Sequence, residues 1–176
     1  MKKILAFAGS NSKKSINKQL VEYASSLLDN VETNILDLND FELPLYGIDL
    51  ENKNGIPKTA HQLLNLIKNS DGILLSLAEH NGAYTAAFKN AFDWMSRIEG
   101  KTFFGKPMLL MATSPGGRGG ASVLQIALDR FPRHNAQIIA HFSLPSFGSN
   151  FSDGKIASNE LNNELKAKVE QFQKAL

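Results

Sequence analysis

Two short runs in the middle of this chain, Gly72–Leu77 and Met108–Ala112, are apolar almost without interruption. A strand with one wet face alternates apolar and polar residues. A continuous run needs cover on both faces, which a parallel sheet flanked by helices supplies. Strand-like runs also stand at Ile4–Ala8, Glu32–Leu38 and Gln137–Phe142. Between them, apolar residues recur at helical spacing. Leu20, Val21, Ala24, Leu27 and Leu28 mark a helix over 17–28, and Pro57 opens a second with Leu63, Leu64 and Ile67 on its core face. Phe88, Ala91, Phe92, Met95 and Ile98 mark a third over 84–97, with Trp94 at the edge of its stripe, placed for the core or for a second subunit. Val123, Leu124, Ala127, Leu128 and Phe131 mark a fourth, and Leu161, Leu165, Val169, Phe172 and Leu176 a fifth. Alternation of this kind predicts an α/β fold, a doubly wound five-stranded parallel sheet in the order 2-1-3-4-5 with helices on both faces.

No shift in composition and no repeat marks a boundary, so residues 1–176 read as a single domain, long enough to bury a core. Several functions fall away on bulk properties. The net charge is only +2 and the lysines are dispersed, so nucleic acid is not an expected partner. No apolar run nears the roughly 18 residues of a membrane span. The apolar run after Met1-Lys2-Lys3 stops at Gly9-Ser10, which suits a first strand better than a signal peptide. With no cysteine, thiol chemistry and thiolate metal sites are excluded. His61, His80, His134 and His141 lack metal-ligand spacing, so no metal is expected. A cytoplasmic location fits all of this.

In a sheet of this order, ligands bind beyond the carboxyl ends of the strands where the order reverses. The loops after the first, third and fourth strands should therefore carry the chemistry. The first, Gly9-Ser10-Asn11-Ser12-Lys13-Lys14-Ser15-Ile16-Asn17, offers hydroxyls, lysines and the N-terminus of a helix. That is a site for an anion, most often phosphate. The second, Ala78-Glu79-His80-Asn81-Gly82-Ala83, brings a carboxylate, an imidazole and an amide, with Gly82 permitting close backbone approach. The third, Ser114-Pro115-Gly116-Gly117-Arg118-Gly119-Gly120, leaves many N–H donors with little side-chain bulk. One phosphate site and two donor-rich loops suit an aromatic heterocycle on a phosphorylated tail, and FMN is the obvious candidate. Other motifs are decoys. Gly100-Lys101-Thr102 lacks the first glycine of a P-loop, and no Gly-x-Ser-x-Gly elbow marks a serine hydrolase.

These residues carry a resemblance. Gly9-Ser10, Ser15 and Asn17 are similar to the Gly-Ser-x-Arg-x-x-Ser-x-Asn phosphate loop of the NADPH-dependent FMN reductases, a family of quinone, chromate and azo-dye reductases. Glu79-His80-Asn81-Gly82 stands where that family has Pro-Glu-Tyr-Asn, and Phe88–Arg97 resembles its Leu-Lys-Asn-Ala-Ile-Asp-Trp-Leu-Ser-Arg helix. Gly105-Lys106-Pro107 and Ser114–Gly120 resemble its fourth strand and following loop. The resemblance implies a flavodoxin-like fold holding FMN non-covalently, with Ser10, Ser12, Ser15, Asn17 and Lys18 around the phosphate. Glu79, His80, Asn81 and Gly82 would line the ring, and Ser114, Gly116 and Gly117 would border it. It implies hydride transfer from NADPH or NADH to flavin N5, then onward to a small-molecule acceptor such as a quinone, azo compound, metal oxyanion or free flavin. No catalytic side chain is needed, and a homodimer or homotetramer is implied. Three positions depart from the family: Ser12 replaces its arginine, Ala78 its proline and His80 its tyrosine. Two rival readings are a flavodoxin-like electron carrier and a non-catalytic member that has lost FMN.

Overall fold

The computed structural model describes residues 1–176. In chain order the elements are β1 (Lys2–Gly9), α1 (Ile16–Ser26), β2 (Val31–Leu36), α2 (Ile48–Asn54), α3 (Lys58–Lys68), β3 (Gly72–Leu77), β4 (Glu79–His80) and β5 (Ala83–Tyr84). They continue with α4 (Ala86–Ile98), β6 (Pro107–Thr113), α5 (Ala121–Arg130), β7 (Gln137–Leu144), α6 (Phe147–Asn150), β8 (Phe151–Ser152), β9 (Lys155–Ile156) and α7 (Asn159–Lys174). The main sheet is parallel throughout, in the order β2-β1-β3-β6-β7. This is the expected 2-1-3-4-5 order, with the fourth and fifth large strands appearing as β6 and β7.

Continuous apolar strands sit where two faces must be covered. Every residue of β3 is buried, as are Met108–Thr113 of β6. One layer packs Leu63, Leu64 and Ile67 of α3, Phe88 and Phe92 of α4 and Val123 and Leu124 of α5 against the sheet. The other packs Leu20, Val21 and Ala24 of α1 and Leu165, Val169 and Phe172 of α7. Each fully buried large apolar side chain contributes on the order of 1.5–3 kcal/mol. β2, an edge strand, alternates between half-buried and exposed residues over Val31–Asn34 and buries only Leu36.

The structure adds short elements where the sequence suggested open loop. Residues 79–84 form the antiparallel hairpin β4–β5, so α4 starts at Ala86 behind an N-cap at Thr85, not at Tyr84. The long connection after β2 contains α2 and is fastened along one side of α4. Asn90 accepts from the Tyr46 N–H at 2.8 Å and donates to the Pro44 carbonyl at 3.0 Å. One turn on, the Trp94 indole N–H donates to the same carbonyl at 2.7 Å. A further turn on, Arg97 pairs with Glu51 at 2.9 Å. The Asn-x-x-x-Trp-x-x-Arg spacing is thus a clasp for residues 44–51. Trp94, whose ring meets Tyr46 edge-on at 5.0 Å, is a fully buried core residue.

Candidate functional site

β1 delivers the chain into the loop 10–15 at Gly9, where a Cβ would stand 2.8 Å from a Leu77 methyl and 3.3 Å from the Phe88 ring. Only glycine lets the first strand end that close to β3 and α4. The serines then brace the loop with their own lone pairs. Ser10 Oγ accepts from the Ser12 N–H at 3.1 Å, Ser12 Oγ from the Lys14 N–H at 3.3 Å, and Ser15 Oγ from the Lys18 N–H at 3.1 Å. The last of these is the N-cap of α1. A hydroxyl that accepts in this way still has its own O–H to give. No group of the chain accepts from the N–H of Ile16 or Asn17 in the first turn of α1. The loop therefore presents donors, at the positive end of a helix dipole.

Two predicted phosphate contacts are engaged elsewhere. Lys18 leaves the loop and pairs with Asp37 at 2.7 Å, beyond the end of β2. That hydrogen bond holds the Asp37 carboxyl below the usual carboxylate range and raises the Lys18 ammonium above its ordinary value. Asn17 is 1% exposed, and its amide faces the sheet. It donates to the Thr113 carbonyl at 3.1 Å and accepts from the Thr113 N–H at 3.0 Å and the Ser76 hydroxyl at 2.6 Å. Asn17 therefore offers the cavity its backbone. Lys14 is the one lysine or arginine among the residues that line the cavity.

The hairpin 79–84 turns at Asn81-Gly82, with φ of 51° and 75°, the positive pair of a type I′ turn. Two long-range bonds seat it. Thr85 caps α4 through the Phe88 N–H at 3.1 Å and donates to the Gly9 carbonyl at 2.9 Å. Glu79 accepts from the Val123 N–H at 2.9 Å. The N-cap of α5 is Gly120, which has no side chain to cap with, so Glu79 supplies that group from another loop. His80 and Asn81 are exposed. In the loop after β6, the Gly116 carbonyl accepts from the Ser146 N–H at 2.9 Å and the Ser114 hydroxyl at 3.3 Å, while Gly116 and Gly117 lie open.

These pieces enclose one cavity of about 180 Å³ at the carboxyl ends of β1, β3 and β6. Ser10, Ser12, Ser15, Asn17, Glu79, His80 and Ser114 line it together. Lys18, Asn81, Gly82, Gly116 and Gly117 do not; Gly82 instead borders a groove of about 940 Å³ between α4 and α5. That larger groove has mixed charge, with Lys89, Arg118 and Arg130 against Asp93 and Asp129. The Tyr84 hydroxyl beside it is buried without a partner, and burial pushes its pKa up to about 12. The small cavity, unlike the groove, lies at the N-terminus of α1 with free N–H groups of its first turn. Its donor set fits a phosphate monoester: three hydroxyls, two free N–H groups and Lys14. Its one carboxylate, Glu79, is engaged with α5.

Thr113, Ser76 and Thr85 were not singled out by sequence reasoning. The signal was present in Ser76, a lone hydroxyl within the apolar run Gly72–Leu77. The Asn-Gly pair likewise announced the hairpin turn.

The model of the NADPH-dependent FMN reductase family matches residues 2–148. The quinone reductase of Escherichia coli K12 is 36% identical over 80 residues, 46% of this chain and 43% of that protein. The 2-hydroxy-1,4-benzoquinone reductase of a Burkholderia species is 34% identical over 121 residues, 68% of this chain and 64% of that one. The chain thus spans less than two thirds of the length of these curated relatives. Among solved structures, the flavoenzyme NAD(P)H:(acceptor) oxidoreductase FerB of Paracoccus denitrificans superposes with a TM-score of 0.75 over 99% of both chains at 26% identity.

Proposed function

This chain belongs to the NADPH-dependent FMN reductase family, and on that premise we propose that it is an FMN-dependent NAD(P)H oxidoreductase acting on small acceptors. The observation that carries the reading is the donor-rich cavity at the N-terminus of α1, whose one carboxylate is engaged with α5. The Ser10, Ser12 and Ser15 hydroxyls, the Ile16 and Asn17 N–H groups and Lys14 would hold a phosphate monoester there. Charge-assisted hydrogen bonds contribute about 1.5–3 kcal/mol each, so several of them hold a dianion without covalent attachment. The hairpin and the Ser114–Gly117 loop stand at the rim of that cavity. Their backbone at exposed Asn81, Gly116 and Gly117 and half-buried Gly82 offers hydrogen bonds to the edge of a flat heterocycle, and His80 stands beside them.

Bound FMN would supply the redox chemistry, taking a hydride equivalent from a reduced nicotinamide and passing electrons to a quinone, azo compound, metal oxyanion or free flavin. The chain's own part is to bind and orient. Glu79 fixes the hairpin to α5, Thr85 fixes it to β1, and neither needs to move a proton. We read residues 1–176 as one FMN-binding domain, working in the cytoplasm as a homodimer or homotetramer. Exposed Leu45, Ile48 and Ile126 support subunit contacts, and no helix is long and apolar enough to cross a membrane.

The test is a visible spectrum of the purified protein after FMN is added and excess removed. A retained flavin spectrum that bleaches with NADPH and returns with 1,4-benzoquinone is expected. Retained flavin that NADPH does not bleach would point to an electron carrier. A colourless protein would overturn the assignment.

A further inference from the structure

The Asn17 side chain faces the sheet rather than the cavity beside it, and the reason lies in the strand register. β3 ends one residue short of β6: the last pair between them is Leu77 with Ala112. Thr113 goes on to pair with Leu144 of β7, which leaves its N–H and carbonyl on the β3 side without a strand partner. The Asn17 amide occupies that place. It accepts from the Thr113 N–H and donates to the Thr113 carbonyl, as a peptide unit of a neighbouring strand would. Its oxygen takes a second bond from Ser76, which is 0% exposed on β3. Thr113 extends the chain of bonds through its hydroxyl to the Leu144 carbonyl at 2.7 Å.

We propose that Ser76 is a positioning residue for cofactor binding, acting through Asn17. The Ser76–Asn17–Thr113 clasp would lock the first turn of α1 to the ends of β3 and β6. In that position the free N–H groups of Ile16 and Asn17 converge on the phosphate cavity. The inference rests on the FMN reading above. A buried amide in a first helical turn is unfavourable unless its hydrogen bonds are met, and here three are. A rigid α1 terminus keeps its donors aimed, whereas a loosened one must be ordered on binding.

Ser76→Ala removes one hydroxyl and leaves both Asn17–Thr113 bonds, so it disturbs the fold least. FMN and riboflavin are titrated into the flavin-free chain, since riboflavin has the same ring and no phosphate. The S76A variant is expected to lose about 3- to 10-fold in FMN affinity, with riboflavin affinity unchanged within about twofold. Adding S76A to N17A is expected to cost nothing further, because its effect runs through Asn17. Amide exchange at Ile16 and Asn17 in the ligand-free S76A chain is expected to quicken relative to Leu20–Ala24. An FMN-to-riboflavin ratio equal to wild type in S76A would overturn the role, whether both affinities hold or both fall. If N17A fails to fold, the S76A ratio and exchange rates still decide. A wild-type chain that binds neither flavin would overturn the cofactor reading itself, and this role with it.

Discussion

The loop 10–15 and the hairpin 79–84 reach the same cavity and are held in opposite ways. Bonds within the loop span two or three residues, serine hydroxyl to nearby N–H. The hairpin hangs on partners far away in sequence, Thr85 on Gly9 and Glu79 on Val123. The first region is a device for presenting donors, the second a brace between β1, α4 and α5. Damage to the hairpin should therefore show first in stability, with FMN and riboflavin affected alike. Damage to the loop should show first in discrimination between them.

Thr85→Val should have the largest effect. It keeps the shape but leaves the buried Gly9 carbonyl and Phe88 N–H without partners, a loss of about 2–3 kcal/mol in urea unfolding. Little change in the urea midpoint would break the contrast between brace and loop. Glu79→Ala should follow at about 1–2 kcal/mol, since α5 loses its only side-chain cap. Glu79→Gln, which can still accept from Val123, should recover at least half. Ser15→Ala should destabilise by about 1 kcal/mol through the lost N-cap. Unlike the hairpin variants it should weaken FMN more than riboflavin, and equal weakening would place Ser15 with the braces.

The smallest effect belongs to the Lys18–Asp37 pair, which lies outside the cavity. Asp37 has a lowered pKa in the folded chain, so its contribution is complete above the unfolded value near pH 4 and fades as pH falls further. Lys18 has a raised pKa, so its contribution is complete below its unfolded value of about 10.4 and fades only at higher alkaline pH. Asp37→Asn should therefore cost under about 1 kcal/mol at pH 7 and less still at pH 3, with the FMN-to-riboflavin ratio unchanged. A changed ratio would mean that Lys18 serves the phosphate after all.

The same contrast explains what could be read from the sequence. The covered parallel sheet was legible in the continuous apolar runs, because burial on both faces marks all of β3 and Met108–Thr113 of β6. The strand order then followed from the usual order of doubly wound sheets. Ser15 was singled out for the phosphate, and its second role as the cap of α1 is a local bond to the Lys18 N–H. The destination of the Asn17 amide was not, since it depends on β3 stopping one residue before β6, a register that no local pattern records. The pairing of Lys18 with Asp37 was hidden for the same reason: Asp37 is brought near by the pairing of β1 with β2. Glu79 was picked out as a site residue, yet its cap on α5 required knowing that Gly120 would leave one missing.

The most direct measurement of the central claim, that loop 10–15 is a phosphate cradle, is calorimetric titration of FMN and riboflavin into the wild-type flavin-free protein. Two or more charge-assisted hydrogen bonds to the phosphate predict FMN binding at least about 100-fold tighter than riboflavin. Equal affinities would contradict the account, and the loop would then be a capped turn at the start of α1.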